Sequence, residues 1–222
     1  MPKLCVALDL DPEEALNLVR KLSVYPVVFK VGPVLFLKGG PDLIRRIRET
    51  GKEVFLDLKV HDIPNTVREV VSRAEELGAD YLTLHTLAGK EALREAVEVS
   101  ERVKLVGVTL LTSHDEGYLR FLRAGFESVE EMVLHLAHLA KETGLYGVVC
   151  SPLELKTVKE KTGLFTVVPG IRIFGSAEDH RRFSTPQEAV RRGADMIVMG
   201  RDIYKSGDPE RVVSHVLESI GD

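Results

Sequence analysis

The chain has 222 residues, of which 44% are hydrophobic and 29% charged, and its formal net charge is −4. This is the composition of a globular protein with a large core, and no basic stripe or arm indicates a nucleic-acid partner. No apolar run reaches the ~18 residues of a membrane span, and no signal-peptide pattern precedes the first strand-like run. The only two cysteines, Cys5 and Cys150, lie far apart in apolar runs. Buried reduced thiols and a cytoplasmic location are therefore expected.

Short apolar runs rich in β-formers alternate with amphipathic helical stretches along the whole chain. The predicted strands are Leu4–Leu8, Val27–Val31, Val54–Leu58, Tyr81–Leu84, Leu105–Leu110, Tyr146–Cys150, Phe165–Val168 and Met196–Met199. The predicted helices are Pro12–Leu22, Pro41–Thr50, Pro64–Leu77, Lys90–Arg102, Val129–Glu142, Leu153–Lys161, Pro186–Arg192 and Glu210–Ile220. Several of these helices begin with a proline in the first turn and end before a glycine, which is typical of helix boundaries.

Strands that alternate with helices predict a parallel sheet covered by helices. Because the eight units follow one another without a linker, a closed (β/α)₈ TIM barrel is favoured over a doubly wound sheet with a second domain. We therefore expect a single α/β barrel domain over residues 1–222. The longest irregular stretch, residues 169–184, is polar and charged, which is typical of a lid or of a surface insertion.

Polar residues cluster where the predicted strands end, which is where barrel enzymes carry their catalytic groups. The first two strands end at Asp9 and Lys30, and the third ends with Asp57 and Lys59. Side chains alternate between the two faces of a strand, so Phe55, Asp57 and Lys59 are expected to point into the barrel. Burying such charges costs several kcal/mol each before pairing, which favours functional use over a salt bridge that fills the barrel.

The ends of strands seven and eight suit a phosphate group. Gly170 and Arg172 follow strand seven, and Gly200 and Arg201 follow strand eight. In many barrels these two loops bind a phosphate through backbone N–H groups, and arginine can add bidentate hydrogen bonds.

Two further patterns carry less weight. Asp62 precedes the third helix and is either only its N-cap or an additional acid of the site. Glu131, His135 and His138 share one helical face, which is more typical of a solvated stripe than of a metal site.

The segment DLKVHDIPNT, residues 57–66, resembles the signature of the orotidine 5′-monophosphate decarboxylases. Shorter segments match that family in the same order: VALD at 6–9, KVG at 30–32, VTLLTS at 108–113, PGIR at 169–172 and GR at 200–201. The resemblance covers nearly the whole chain. The ten-residue signature is highly specific, whereas each flanking segment is weak alone.

The resemblance implies decarboxylation of orotidine 5′-monophosphate to UMP, the last step of de novo UMP synthesis, without a metal or organic cofactor. It also implies a (β/α)₈ barrel that works as a homodimer with its sites at the subunit interface. The charged array of the family corresponds to Lys30, Asp57, Lys59 and Asp62, with Lys59 as the proton donor. Asp62 is expected to reach into the site of the partner subunit.

The resemblance also assigns binding roles. Asp9 and Lys30 correspond to ribose contacts, Thr66 to a ribose contact from the partner, Thr112 to a pyrimidine contact, and Arg172, Gly200 and Arg201 to the phosphate region. His180 stands where bacterial relatives often carry glutamine in the lid, and its ring can donate a hydrogen bond to phosphate.

Two other functions remain open. One is a Mg²⁺-dependent phosphosugar aldolase or decarboxylase with a similar Asp-x-Lys-x-x-Asp core, although such sites need further carboxylates for the metal. Residues 63–66 and the His85-Thr86 pair after strand four supply none. The other is a nucleotide-binding protein without catalysis, because a fold alone does not determine function.

Overall fold

The computed structural model describes residues 1–173 and 183–221 as a closed barrel of eight parallel strands in sequence order, with β8 paired to β1. The strands are β1 (Lys3–Ala7), β2 (Val27–Val31), β3 (Glu53–Val60), β4 (Tyr81–His85), β5 (Lys104–Val108), β6 (Gly147–Val149), β7 (Phe165–Val168) and β8 (Met196–Met199). The predicted single-domain (β/α)₈ fold is thereby confirmed.

Helices surround the barrel between successive strands. They are α1 (Pro12–Leu22), α2 (Pro33–Arg48), α3 (Pro64–Leu77), α4 (Lys90–Val99), α5 (Glu116–Leu122), α6 (Val129–Thr143), α7 (Leu155–Thr162), α8 (Pro186–Arg191), α9 (Arg201–Tyr204) and α10 (Pro209–Gly221). Within the two described ranges, no helix is long and apolar enough to cross a membrane.

The alternation of side chains along each strand produces two separate cores. Leu4 and Val6 of β1 belong to the larger core between the sheet and the helices, whereas Cys5 and Ala7 point into the barrel. The inner core also contains Val28, Phe55, Tyr81, Val106, Val167, Met196 and Val198. Both cysteines are buried and free, as predicted, and burial raises the pKa of each thiol far above its ordinary value.

Helix α2 is longer than predicted. The sequence predicted a helix from Pro41, and a helical segment does begin there, because Gly40 before it has a non-helical backbone with φ of 58° and ψ of −161°. A second helical segment, which was not predicted, runs from Pro33 to this kink. The positive φ at the kink is one that glycine adopts readily. The short helices α5 and α9 were not predicted.

Two aspartates tie neighbouring strands together at the amino-terminal end of the barrel. Asp80, just before β4, accepts a hydrogen bond from the backbone N–H of Val54 at 2.7 Å and pairs with Arg48. Asp195, just before β8, accepts the N–H of Thr166 at 2.8 Å and pairs with Lys159. Each carboxylate binds the preceding strand and a cationic side chain from a surrounding helix. We call these two groups the aspartate clamps.

Replacing one clamp should destabilise the barrel measurably. Asp195→Ala removes the acceptor of the Thr166 N–H and hydroxyl and of Lys159, so the free energy of unfolding should fall by about 2–3 kcal/mol. Urea unfolding followed by circular dichroism measures this loss. Lys159→Met is the control, because it leaves the carboxylate bound to Thr166 and should cost less than about 1 kcal/mol. Equal losses in the two variants would contradict the role given to the carboxylate.

Candidate active site

The carboxyl ends of the strands surround a cavity of about 400 Å³. Its wall is apolar near the barrel axis and charged near the rim. Predicted site residues that line it are Asp9, Lys30, Asp57, Lys59, Thr112, Arg172, Gly200 and Arg201. The sequence-based expectation that charged strand ends converge is therefore correct for these residues.

Asp57 connects the two lysines of the site. Both of its carboxylate oxygens accept hydrogen bonds from Lys59 Nζ at 2.9 Å, and its Oδ2 lies 3.3 Å from Lys30 Nζ. Lys30 Nζ also lies 3.9 Å from a carboxylate oxygen of Asp9. Four side chains from three adjacent strand ends thus form one chain of alternating charge.

Electrostatics keep the central groups of this chain ionised. Burial alone would raise the pKa of Asp57, but Lys30 and Lys59 outweigh burial and hold it below its ordinary value. Burial alone would lower the pKa of Lys30, but the carboxylates of Asp57 and Asp9 hold it above its ordinary value. At neutral pH the site therefore presents the charged Lys30 ammonium group beside the ionised, buried Asp57 carboxylate.

The backbone at the end of β3 departs from a regular strand. Leu56 pairs with Leu82, but Val60 pairs with Leu84, so the β3–β4 register shifts between them. Lys59 lies in this irregular segment with φ of 50°, a left-handed conformation that costs a side-chain-bearing residue about 1–3 kcal/mol. The simple alternation expected for β3 therefore holds for Phe55 and Asp57, whereas a bulge brings Lys59 to the same carboxylate.

The loops after β7 and β8 form the opposite rim of the cavity. Gly170 has φ of 74°, and Arg172 follows it with its guanidinium 4.0 Å from the ring centre of Phe183. An added Cβ at Gly200 would be in van der Waals contact with Ala7 Cβ and Tyr204 Cε1, each 3.4 Å away. At this rim a ligand can come close to the backbone and reach two arginine side chains, which suits the binding of an anionic group.

Asp62 and Thr66 are not brought to the cavity by their own chain. Within the described ranges they form no part of its wall. Asp62 is exposed and its Oδ1 accepts a hydrogen bond from the N–H of Ile63 at 2.8 Å. Ile63, rather than Asp62, is the N-cap residue of α3, so helix capping does not explain Asp62. The predicted phosphate contact His180 lies outside the described residues.

Three residues near the array escaped the sequence analysis. Thr83 is fully buried and its hydroxyl contacts both Asp57 and the Lys59 backbone. Asp202 lines the cavity and accepts the N–H of Ile173 at 2.9 Å, and Phe183 supports Arg172. The sequence could have indicated Thr83, because it is a polar residue on the inward-facing side of the buried strand β4.

His85 ends β4 as a buried neutral histidine. Its Nδ1 accepts a hydrogen bond from Leu87 N–H at 3.3 Å, and its ring stacks on His61 with centroids 5.4 Å apart. Burial, followed by the charges of His61, His114 and Lys59, lowers the pKa of His85 to about 4. The folded protein therefore holds the imidazole uncharged at neutral pH.

Stability should depend on pH through this histidine. The pKa of His85 is 6.5 in the unfolded chain and about 4 in the folded protein. Its contribution to the free energy of unfolding is therefore complete above pH 6.5 and is lost as the pH falls towards 4. In urea unfolding at several pH values, the free energy of unfolding should fall less steeply below pH 6.5 for His85→Asn than for the unaltered chain. His138→Gln, at an exposed histidine of α6 away from this pair, is the control. An unchanged decline in His85→Asn would show that His85 does not titrate in this way.

The closed barrel and its alternating Lys–Asp array define the chain as a (β/α)₈-barrel protein with a charged cavity at the carboxyl ends of its strands. The family model described as "Orotidine 5′-phosphate decarboxylase / HUMPS family" matches residues 2–216. The chain belongs to this family, as the resemblance predicted.

Individual relatives agree with this assignment. The chain is 43% identical to the orotidine 5′-phosphate decarboxylase of Aquifex aeolicus (strain VF5), a carboxy-lyase, over 100% of both chains. The solved orotidine 5′-phosphate decarboxylase of Lactobacillus acidophilus superposes with a TM-score of 0.88 at 35% identity, covering 100% of both chains. The enzyme of Methanocaldococcus jannaschii, solved in complex with the inhibitor BMP, superposes with a TM-score of 0.81 at 28% identity, again over 100% of both chains.

Proposed function

We propose that this protein decarboxylates orotidine 5′-monophosphate to UMP with its own side chains and no cofactor, and that Lys59 is the proton donor. The observation that carries the proposal is the pair of 2.9 Å hydrogen bonds that hold Lys59 Nζ on Asp57 at the cavity wall. Family membership supports the substrate and the reaction. In a cell we place the reaction in the cytoplasm, as the last step of UMP synthesis.

Loss of CO₂ breaks the bond between the carboxylate carbon and C6 of the pyrimidine and leaves the electron pair on C6. Decarboxylases that use a cofactor delocalise such a pair into it. Here the Lys59 ammonium lies beside the developing negative charge, stabilises it and transfers a proton to C6. The two hydrogen bonds to Asp57 orient Lys59, so the stabilising charge is in place before the bond breaks.

The two rims of the cavity give the nucleotide one orientation. Asp9 and Lys30 bind the ribose hydroxyls, and Thr112, on the exposed loop after β5, contacts the pyrimidine. Arg172 and Arg201 bind the phosphate opposite, together with the Gly200 backbone, and His180 is proposed as a further phosphate contact. The relative from Methanocaldococcus jannaschii, solved in complex with the inhibitor BMP, supports the binding of a nucleotide.

We further propose a homodimer in which each chain completes the site of the other with Asp62 and Thr66. Asp62 is exposed on its own chain, and the adjacent Ile63 is 67% exposed. A second open cavity, next to the first, exposes Lys59 and Asp57 on the side of α2. An acidic loop from a second chain can enter there and place another carboxylate beside Lys59.

The proposed reaction is tested by the fall in ultraviolet absorbance of orotidine 5′-monophosphate after the protein has been dialysed against EDTA. Rapid loss with UMP as the product supports the proposal. Turnover that returns only with Mg²⁺ would contradict cofactor independence and favour the phosphosugar class. UMP binding without turnover would favour a nucleotide-binding protein.

Lys59→Ala should leave a folded protein that binds UMP but loses at least ~10³-fold in kcat, because a proton donor and a stabilising charge are removed together. Steady-state kinetics and UMP titration measure the two effects. Lys156→Ala, at an exposed lysine of α7, is the control and should keep full activity. Turnover near normal in Lys59→Ala would overturn the role of Lys59.

The same variant tests the shared site. Lys59→Ala and Asp62→Ala should each be inactive alone, but mixing them should recover about a quarter of normal activity, because half of the dimers contain one intact site. No recovery after verified subunit exchange would contradict the contribution of Asp62 to the partner.

Arg201→Ala should weaken kcat/KM for orotidine 5′-monophosphate roughly 10- to 100-fold, since a charged hydrogen bond to phosphate contributes about 1.5–3 kcal/mol. The nucleoside orotidine, which lacks the phosphate, should be affected little. Arg191→Ala on α8 is the matched control at an exposed arginine. Equal losses on nucleotide and nucleoside would show that Arg201 does not bind the phosphate.

A further inference from the structure

Thr83 lies in the middle of β4 and is completely buried. Its hydroxyl donates a hydrogen bond to Asp57 Oδ1 at 2.9 Å and accepts one from the Lys59 backbone N–H at 2.8 Å. Thr83 is not among the residues that line the cavity, within the part of the chain that the structure describes. Any effect of Thr83 on the reaction must therefore pass through Asp57 and Lys59.

The two hydrogen bonds fit the chemistry of one hydroxyl. An ionised carboxylate only accepts hydrogen bonds, so the single hydroxyl proton is directed to Asp57 and a lone pair remains for the Lys59 N–H. That N–H belongs to the residue with φ of 50°, where the regular β3–β4 pairing is interrupted. The Thr83 hydroxyl therefore holds the β3 backbone at the point where the regular pairing of β3 with β4 is interrupted.

We propose that Thr83 is the positioning residue that joins the Asp57 carboxylate to the left-handed backbone of Lys59 and so aligns Lys59 Nζ for proton transfer. This inference rests on the proposed function of Lys59. The hydroxyl fixes both ends of the Asp57–Lys59 unit: the carboxylate that orients the ammonium group, and the main chain from which the lysine side chain starts. Without it, the lysine backbone can relax and the ammonium group moves relative to the reacting carbon.

The chain contains a matched hydroxyl at the other end of the barrel. Thr166 is also fully buried, and its hydroxyl accepts the Asp195 N–H at 3.2 Å. The Gly193 carbonyl at 2.8 Å and Asp195 Oδ2 at 3.0 Å are the two acceptors in reach of its proton. Like Thr83, it is a buried threonine that contacts an aspartate and the backbone, but it belongs to an aspartate clamp. A purely structural role for Thr83 predicts that equivalent substitutions at the two positions act alike.

The experiment compares Thr83→Val, Thr83→Ser and Thr83→Ala with Thr166→Val. Removal of the Thr83 hydroxyl should lower kcat about 10- to 100-fold with KM changed less than ~3-fold, because a misplacement of about 1 Å costs a reaction up to ~10²-fold. Thr83→Ser keeps the hydroxyl and should stay within ~3-fold of normal kcat. Thr166→Val should lower the unfolding midpoint and leave kcat unchanged.

The pH dependence supplies a second readout. A donated hydrogen bond favours the ionised carboxylate, so its loss should raise the pKa of Asp57 and move the acid limb of the kcat profile to higher pH. Carbon-13 NMR of the Asp57 carboxyl measures the same shift without substrate. If Thr83→Val does not fold, Thr83→Ser and Thr83→Ala still differ only by the hydroxyl and give the same comparison.

The outcomes separate the two proposals. An unaltered chain that does not turn over orotidine 5′-monophosphate refutes the proposed function, and the NMR titration then decides whether Thr83 controls Asp57. With an active chain, equal kcat in Thr83→Ser and Thr83→Ala overturns the positioning role. An equal loss of kcat in Thr166→Val would likewise assign the effect to stability alone.

Discussion

The site is organised by one buried carboxylate held between two ammonium groups. Asp57 is only 8% exposed, yet it stays charged because Lys30 and Lys59 lie at hydrogen-bonding or ion-pair distance. Removing one partner from a buried pair costs about 3–5 kcal/mol, since the remaining charge is left uncompensated. Asp57 and its two lysines therefore hold one another in place, and the geometry of the array is a property of the three side chains together.

The barrel places its rigid contacts and its charged cavity at opposite ends of the strands. Its interior is filled by apolar side chains, and the aspartate clamps fix strand ends on the side away from the cavity. The cavity side contains the features that cost energy, which are buried charge and the left-handed backbone of Lys59. A firmly closed sheet can tolerate such local strain, because the surrounding strand pairs determine where each strand ends.

The sequence was informative where physical rules act locally. Alternating strands and helices predicted the barrel, and because parallel strands end at the same edge, Lys30, Asp57 and Lys59 were expected to meet. The bulge at Lys59 could not be foreseen, since no glycine or proline marks it. The Thr83 contacts depend on the register of a neighbouring strand, which the residues of β4 alone do not specify.

Other features depend on information beyond local pattern. The break at Gly40 and Pro41 was predicted, whereas the helical segment of α2 that begins at Pro33 was missed. Asp62 and Thr66 lie outside the cavity wall that the described residues of their own chain form. Individual strand ends also differed by a residue or two, as at β5, which ends at Val108 rather than Leu110.

The aspartate clamps have an implication for how the barrel is built. Asp80 and Asp195 precede strands that stand four positions apart in a ring of eight, which is half a turn around the barrel axis. Both follow a Gly-Ala pair and bind the preceding strand in the same way. The amino-terminal end thus has an approximate twofold repeat, which is not seen among the described residues of the charged rim. Because the two ends are separate, residues of the charged rim can change without loss of the aspartate contacts that hold the barrel closed.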